Sequence, residues 1–239
     1  MGINIKFKNI FKDYEGHIAL NNLNFEIEEN DIVGIVGPSG SGKTSLINLL
    51  LFDNNYNGQI LFNNEIINKK LKEKYKISVV FDTPMCLEHL NVFDNIQLGL
   101  KQLKLDDKQI NKNISDISKL LEIDDKLNCY PSQLSLGQKQ RVAIARALCR
   151  NCDLLLMDEP FSNLDIVLKF KLLKVIKKLQ KEMNFTCIFV THDLNETKNV
   201  VDKLMILDSC KVQCYSTFDD VMNNCDNKII KCYKQEDGL

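Results

Sequence analysis

A single eight-residue segment restricts what this chain can fold into more than any other feature. Residues 37–44 read GPSGSGKT and fit the phosphate-loop pattern G-x-x-x-x-G-K-S/T. An apolar run at 32–36 precedes the segment and a helical pattern at 44–51 follows it, which is the strand–loop–helix context that the pattern requires. The backbone N–H groups of such a loop and the N-terminus of its helix attract phosphate oxygens. The predicted nucleotide-binding residues are therefore Gly37, Pro38, Ser39, Gly40, Ser41, Gly42, Lys43, Thr44 and Ser45.

Two adjacent acids indicate hydrolysis as well as binding. Asp158 and Glu159 follow the apolar run at 154–157, and carboxylates in such a place hold Mg²⁺ and polarise water in nucleoside triphosphatases. We expect Lys43 to reach the β- and γ-phosphates and the Thr44 hydroxyl to bind Mg²⁺. Asp158 is predicted to lie on the metal side, and Glu159 to be the general base. Adjacent acids at a strand end are common, so this prediction depends on their combination with the phosphate loop.

Short apolar runs alternate with helical patterns along the chain, which predicts an α/β fold. Three runs, at 32–36, 154–157 and 187–190, are almost entirely apolar, as is typical of parallel strands covered on both faces. The spacing becomes helical between 93 and 150, and another amphipathic helix begins at Asp165. From Thr217 onward we expect a short helix and a polar tail. The predicted strands are 3–7, 23–27, 32–36, 59–62, 77–81, 154–157, 187–190 and 203–207.

The composition excludes several classes of protein. The 31 Lys and Arg residues nearly balance the 32 Asp and Glu residues, and a net charge of −1 lacks the basic field of a non-specific nucleic-acid binder. No nucleic-acid partner is therefore expected. The longest apolar runs fall far short of the roughly 18 residues that a membrane span needs. The 9 cysteines have no framework spacing and are expected to be reduced thiols, with a zinc site from the pairs 149/152 and 210/214 as the alternative.

The segment at 134–138 narrows the class of ATPase. It reads LSLGQ and leads directly into KQRVAIARAL, and in both respects it resembles the ATP-binding cassette (ABC) ATPases, whose signature is LSGGQ. The resemblance extends over nearly the whole chain. It implies a P-loop NTPase (RecA-like) core with an antiparallel β subdomain and an inserted α-helical subdomain. The implied arrangement is one ABC ATPase domain over 1–239, with the core and β subdomain at 1–82 and 151–216, the helical signature subdomain at 83–150, and a C-terminal helix and tail at 217–239.

The resemblance also implies roles for residues outside the phosphate loop and the acid pair. Tyr14 matches the aromatic residue that stacks on adenine, and His192 matches the switch histidine that contacts the γ-phosphate. Asp165 matches the last residue of the D-loop, which reads SNLD here, and is likewise expected near the nucleotide. In the family, two cassettes pair head to tail, so that the signature of one completes the ATP site of the other. The signature residues expected to bind ATP are Ser135, Gly137 and Gln138.

Two positions depart from the family pattern. Asp82 stands where the family usually has Gln, at the end of the strand before the helical insertion, which places a carboxylate near Mg²⁺ and the γ-phosphate. We expect Asp82 to bind the metal and to slow turnover, because like charges repel strongly in a dry site. Leu136 replaces the first glycine of the signature. We expect it on the helical side of the turn, since a left-handed conformation would cost it about 1–2 kcal/mol.

The resemblance implies an ATP- and Mg²⁺-dependent ATPase subunit that powers the import of a small polar solute across the cytoplasmic membrane. The implied partners are polytopic membrane permease subunits, which residues 82–95 would contact, a solute-binding protein, and a second cassette that is identical or different. The chain would lie peripherally at the cytoplasmic face of the cell membrane. Two alternatives stay open. One is a non-transport soluble ABC ATPase of the DNA-repair or translation type, and the other is a nucleotide-binding partner with little catalysis, which Asp82 would favour.

Overall fold

Strands and helices alternate along the chain in the computed structural model, which describes residues 2–51, 54–101 and 103–236. Within these ranges the chain forms two sheets packed against helices. The strands are β1 (Ile5–Tyr14), β2 (His17–Ile27), β3 (Ile32–Val36), β4 (Asn57–Phe62), β5 (Glu65–Ile66), β6 (Ile77–Val80), β7 (Leu154–Asp158), β8 (Thr186–Thr191), β9 (Lys203–Asp208) and β10 (Lys211–Ser216). The helices are α1 (Lys43–Leu51), α2 (Lys69–Lys74), α3 (Val92–Leu100), α4 (Asp107–Leu120), α5 (Leu136–Cys149), α6 (Ile166–Met183), α7 (Phe218–Asn224) and α8 (Lys228–Glu236).

A six-stranded sheet forms the centre of the fold, in the order β10-β9-β3-β8-β7-β6. All neighbours pair in parallel except β10, which runs antiparallel to β9 at one edge. Every residue of β3, β7 and β8 is buried, as their apolar runs predict. Alternate side chains of β7 enter two different cores. Leu155 and Met157 pack with residues of α3, α5 and α6, whereas Leu154 and Leu156 pack with residues of α1 and the second sheet.

The second sheet is antiparallel, in the order β2-β1-β4-β5. Strands β1 and β2 form a hairpin that pairs Tyr14 with His17, and Gly16 in its turn has a φ of +90° that favours glycine. Buried residues of the hairpin, including Ile5 and Phe7, share a core with α1. The hairpin therefore lies beside the helix that the phosphate loop opens, and its tip reaches the same cleft.

Each predicted strand overlaps an observed one, but β1 and β2 are longer than predicted. Register shifts between Phe7 and Asp13 let the polar half of β1 stay paired, and period-2 alternation does not reveal such irregular pairing. The predicted elements do not include β5, β10 or α2. Helix α2 reads KKLKEK, a charged sequence without an apolar stripe, and its signal is the Asn68 side chain that caps it by accepting from the Leu71 N–H.

The C-terminal segment departs from prediction in two ways. It contains two helices, α7 and α8, where one short helix was predicted, and residues 237–239 of the predicted tail lie outside the described residues. Cys214 in β10 and Cys225 after α7 form a disulfide. The prediction that all cysteines are reduced thiols is therefore wrong for this pair, and the zinc alternative fails because it needed Cys214 as a thiolate. Among the described helices, none is long and apolar enough to cross a membrane.

Candidate nucleotide site

Four segments that the sequence singles out meet at one edge of the central sheet. The phosphate loop follows β3, the acid pair ends β7, His192 follows β8, and Asp82 lies two residues after β6. These four strands are parallel neighbours. The carboxyl ends of such strands lie at one edge, where open α/β sheets bind their ligands. The topology therefore brings residues that are far apart in sequence into one site.

The phosphate loop holds its lysine folded inward. The Lys43 Nζ donates to the backbone oxygens of Gly37 at 2.8 Å and Pro38 at 2.9 Å, and the side chain is buried. Burial lowers the pKa of Lys43, and the negative charges of Glu159 and Asp158 oppose this shift. A phosphate anion would favour the ammonium form further, because an opposite charge nearby stabilises a buried cation.

Two details of the loop fit a polyphosphate ligand. The Ser41 hydroxyl oxygen is buried and has no hydrogen-bond partner in the described part of the chain, although such atoms are nearly always paired in folded proteins. Gly40 has a φ of +78°, and a Cβ placed there would meet no heavy atom within 4 Å. The loop thus offers both an unused polar group and open space, which phosphate oxygens could fill.

A cleft of about 410 Å³ joins the phosphate loop to the β1–β2 hairpin. The predicted site residues that line it are Tyr14, Ser39, Gly40, Gly42, Lys43, Thr44, Ser45 and Glu159. His17, Ile18 and Ala19 also line the cleft and are absent from the prediction, although their position directly after Tyr14 in the hairpin is a usable signal. Gly37, Pro38 and His192 line a neighbouring groove of about 870 Å³. The structure therefore places the phosphate loop between two adjoining spaces.

The ring of Tyr14 packs against the buried ammonium group of Lys12 at the edge of the cleft. The Tyr14 side chain is 44% exposed, whereas Lys12 is almost completely buried. The Lys12 Nζ lies 4.5 Å from the centroid of the Tyr14 ring and donates to the Asn55 backbone oxygen at 2.6 Å. One face of the ring thus has a cation–π contact, and the exposed part of the ring is free to stack on a base.

The acid pair begins with a carboxylate that is costly to ionise. Asp158 is buried at the end of β7 and accepts a hydrogen bond from the Thr44 hydroxyl. Burial raises the pKa of Asp158, the carboxylates of Glu159 and Asp82 raise it further, and Thr44 and Lys43 oppose the rise. A divalent cation would relieve this cost.

The side chains near Asp158 fit Mg²⁺, which shares its ligands with phosphate and water, better than they fit a metal ion whose ligands all come from the protein. Mg²⁺ usually takes one or two carboxylates and fills its remaining positions with phosphate oxygens and water. In the part of the chain that the structure describes, no group of three or more His, Cys, Asp or Glu side chains could hold a metal ion. Asp82 lies close enough to act on Asp158, but its Oδ1 accepts from the Thr83 N–H at 2.7 Å. Direct metal binding by Asp82 stays a prediction.

Glu159 contacts His192, the predicted switch histidine, although the sequence does not predict this contact. The Glu159 Oε2 lies 3.0 Å from the His192 Nδ1, and the Glu159 N–H donates to the Val190 backbone oxygen at 2.9 Å. Its φ of 46° is left-handed, a conformation that costs a residue other than glycine roughly 1–3 kcal/mol and that is concentrated at active sites. Glu159 lines the cleft beside the phosphate loop.

The sequence profile of the ABC transporter family matches residues 20–162 of the 239. This chain belongs to the ABC transporter family. The spermidine/putrescine import ATP-binding protein PotA of Clostridium novyi is 34% identical over 227 residues, which cover 95% of this cassette and 65% of that protein. The Fe(3+) ions import ATP-binding protein FbpC of Fusobacterium nucleatum is 37% identical over 214 residues, which cover 89% and 58%. The cassette thus spans less than two thirds of the length of these curated relatives.

Solved structures confirm the predicted α/β fold of a P-loop NTPase. A dimeric ATP-binding cassette in a post-hydrolysis state, bound to ADP and Pi, has a TM-score of 0.80 and 31% identity, and the match covers 89% of this chain and 98% of that chain. Another dimeric structure, of a bacterial ABC transporter cassette, has a TM-score of 0.81 and 32% identity over the same shares. The cleft described above therefore lies in a known cassette fold.

The signature segment of the cassette lies outside the cleft of its own chain. Ser135 caps α5 by accepting from the Gln138 N–H at 3.2 Å, and Gln138 Oε1 accepts from the Ser135 N–H at 2.9 Å. Leu136 is the first residue of α5 and has no positive φ, which confirms that it lies on the helical side of the turn. Its side chain is 51% exposed. ATP contacts of Ser135, Gly137 and Gln138 stay predictions.

The D-loop connects the signature segment to Asp82. Asn163 Nδ2 donates to the Asp82 backbone oxygen at 3.0 Å, and a Cβ on Gly137 would lie 3.1 Å from Leu164 Cδ2. Asp165 caps α6 by accepting from the Leu168 N–H at 3.0 Å and lines neither of the two spaces beside the phosphate loop. The Asn163 contact spans 81 positions and carries no local sequence signal.

Proposed function

We propose that this cassette binds ATP with Mg²⁺ and hydrolyses it as the ATPase subunit of an ABC importer. The observation that carries the proposal is the convergence of the phosphate loop, the acid pair and His192 at one sheet edge. The relative bound to ADP and Pi supports hydrolysis, and the names of PotA and FbpC support import. Because these relatives are import proteins, the DNA-repair or translation alternative is not supported.

The binding part of the proposal assigns the triphosphate to the loop and the base to the hairpin. Lys43 would exchange its two loop carbonyls for phosphate oxygens, and the buried Ser41 hydroxyl would gain a partner. Tyr14 would stack on adenine with the exposed part of its ring. Thr44, Asp158 and Asp82 would hold Mg²⁺, which when bound neutralises charge on the phosphate oxygens.

The catalytic part of the proposal rests on the contact between Glu159 and His192. Glu159 is the general base: its carboxylate orients a water molecule towards the γ-phosphate and accepts a proton from it. Its fixed position beside the phosphate loop reduces the reorganisation that the reaction needs. His192 contacts the γ-phosphate and, through Nδ1 at 3.0 Å, keeps the carboxylate oriented.

A second cassette, identical or different, is proposed to complete the site. The signature residues Ser135, Gly137 and Gln138, and Asp165 of the D-loop, line no part of their own cleft, so they are available to the nucleotide of a partner. The dimeric solved relatives support this head-to-tail pair. ATP would hold the pair closed, and loss of the γ-phosphate would let it open.

The proposed setting is the cytoplasmic face of the cell membrane. The cassette would bind peripherally to polytopic permease subunits through residues 82–95, and a solute-binding protein would deliver a small polar solute to them. We assign the ATP-binding core and β subdomain to 1–82 and 151–216, the helical subdomain to 83–150 and the C-terminal segment to 217–239. The movement of the helical subdomain against the core would then transmit closure to the permease.

The test uses the full chain purified from its native membrane with the polytopic subunit that accompanies it. Glu159→Gln keeps the shape of the side chain and removes the base, so phosphate release should stop while an ATP-dependent dimer accumulates in light scattering. Lys43→Ala should bind no ATP in calorimetry. Phosphate release by Glu159→Gln at the parent rate rejects the catalytic role. A hydrolysis-blocked chain that stays monomeric with Mg-ATP and its membrane subunits rejects the paired site.

A further inference from the structure

An ion pair with a buried carboxylate joins α6 to the segment that contains His192 and belongs to none of the motifs. Lys169 Nζ lies 2.5 Å from Glu196 Oε1, and the two side chains are 17% and 6% exposed. Lys169 also lies 3.9 Å from Asp193 Oδ2. It is in the first turn of α6, where its N–H donates to the backbone oxygen of Asp165, the residue that caps the helix. The ion pair therefore joins the start of α6 to the segment that follows β8.

The carboxylate of this pair fixes the backbone on both sides of His192. Glu196 Oε2 accepts from the Thr191 hydroxyl at 2.7 Å, and that hydroxyl oxygen accepts from the Asp193 N–H at 3.0 Å. One hydroxyl thus ties the residue before His192 to the residue after it. His192 is in turn 3.0 Å from Glu159, so a continuous series of contacts runs from α6 to the proposed base.

Burial makes this ion pair different from the other pairs of α6. A buried carboxylate that loses its partner is strongly destabilised, because its charge is left without solvent or counterion. The exposed pair Lys178–Glu182, with a separation of 3.9 Å and side chains 69% and 56% exposed, is expected to contribute little. Loss of Lys169 should therefore displace Glu196, and with it the hydrogen bonds that hold Thr191.

We propose that Lys169, Glu196 and Thr191 are positioning residues that set His192 against Glu159. The proposal rests on the catalytic function proposed above and deepens it. It also gives Asp165 a route to the catalytic pair: the D-loop, which would face the second cassette, caps the same helix turn from which Lys169 reaches Glu196. The first turn of α6 would then link closure of the dimer to the orientation of His192.

The kinetic test compares variants of two lysines on the same helix. Lys169→Met should lower kcat roughly ten- to a hundredfold, the loss expected from a small misplacement of a reacting group, with ATP affinity unchanged. Lys169→Arg should restore most of kcat because it keeps the charge. Thr191→Val, which keeps the volume and removes the hydroxyl, should lower kcat in the same way. The matched control Lys178→Met should match the parent.

A second measurement reads His192 without turnover. The chain has 3 histidines, so the His192 ring signal in NMR can be assigned with a His192→Ala variant. It should shift in Lys169→Met and Thr191→Val and stay in place in Lys178→Met. Unchanged kcat in Lys169→Met, a rise in KM without a fall in kcat, or an unmoved ring signal overturns the proposal. If the parent hydrolyses no ATP, the proposed function fails, while the ring signal still decides the positioning role.

Discussion

Two of the three glycines in the phosphate loop are required for different reasons, and replacing each with alanine should separate folding from binding. At Gly37, a Cβ would lie 2.0 Å from the Leu207 backbone oxygen and 2.6 Å from Ser41 Oγ. At Gly40, the φ of +78° favours glycine, but a Cβ would meet nothing within 4 Å. The methyl group of Gly37→Ala would thus clash with the backbone of β9. Gly40→Ala would instead strain its own backbone, and its methyl group would point into open space.

The two conflicts differ in size. Real Cβ atoms essentially never lie within 3.0 Å of another heavy atom, so β9 or the loop must move by about 1 Å to admit Ala at position 37. We place this cost at the upper end of the range for overpacking, about 3 kcal/mol, because backbone cannot rotate away as a side chain can. The left-handed strain of Gly40→Ala is about 1 kcal/mol. At roughly 2–4 °C per kcal/mol, the melting temperature should fall by about 6–12 °C and 2–4 °C.

Thermal unfolding without nucleotide measures the first effect, and calorimetry with Mg-ATP measures the second. Gly37→Ala should show the larger loss of melting temperature. Gly40→Ala should fold nearly as well as the parent and yet bind ATP roughly tenfold more weakly, a change of about 1.4 kcal/mol, because its methyl group enters the space that phosphate would occupy. The reasoning is refuted if Gly40→Ala is the less stable of the two, or if it keeps the parent affinity for ATP.

Three further predictions concern charge and the disulfide. Asp82→Gln removes a carboxylate that attracts the metal and repels the phosphates, so it should raise both the turnover rate and the Mg²⁺ concentration that turnover needs. Phosphate release measured against Mg²⁺ concentration reads both quantities. If neither changes, the reasoning is contradicted. Burial raises the pKa of Asp158, so the protonated carboxyl favours the folded state and this contribution is lost as the pH rises through the folded pKa. At pH 7, Asp158→Asn, which carries no charge, should therefore have a larger free energy of unfolding in urea than the parent. It should also be inactive. Cys214→Ser should lower the free energy of unfolding by about 2–3 kcal/mol without reductant, given the separation of 11 from Cys225, and should match the parent with reductant.

The sequence allows the central sheet and the phosphate loop to be predicted because both depend on local chemistry. Strand β3 is predicted with its observed bounds, since a run of five residues that is apolar except for Gly34 needs cover on both faces. The loop that follows is specified by its own glycines and lysine. Asp165 likewise caps α6, as an Asp before an apolar stripe suggests. Each of these features can be recognised within about ten residues.

Features that depend on distant partners could not be predicted in the same way. Nothing near Cys214 indicates a disulfide, because its approach to Cys225 depends on how α7 packs against β9 and β10. The ion pair between Lys169 and Glu196 joins two charged residues that look like ordinary exposed positions in sequence. The left-handed φ of Glu159 is equally hidden, since it depends on the pairing of β7 with β8.

Lys43 and Asp158 are both costly to hold in their charged forms, which explains why this site should favour magnesium and a triphosphate together. Burial lowers the pKa of Lys43 and raises the pKa of Asp158, so the charged form of each group is less stable in the protein than it would be in water. An anionic ligand compensates Lys43 but adds to the repulsion around Asp158, whereas a cation compensates Asp158 and opposes Lys43. Because Lys43 and Asp158 lie close enough for each charge to act on the other, only a ligand that brings both charges at once lowers both costs.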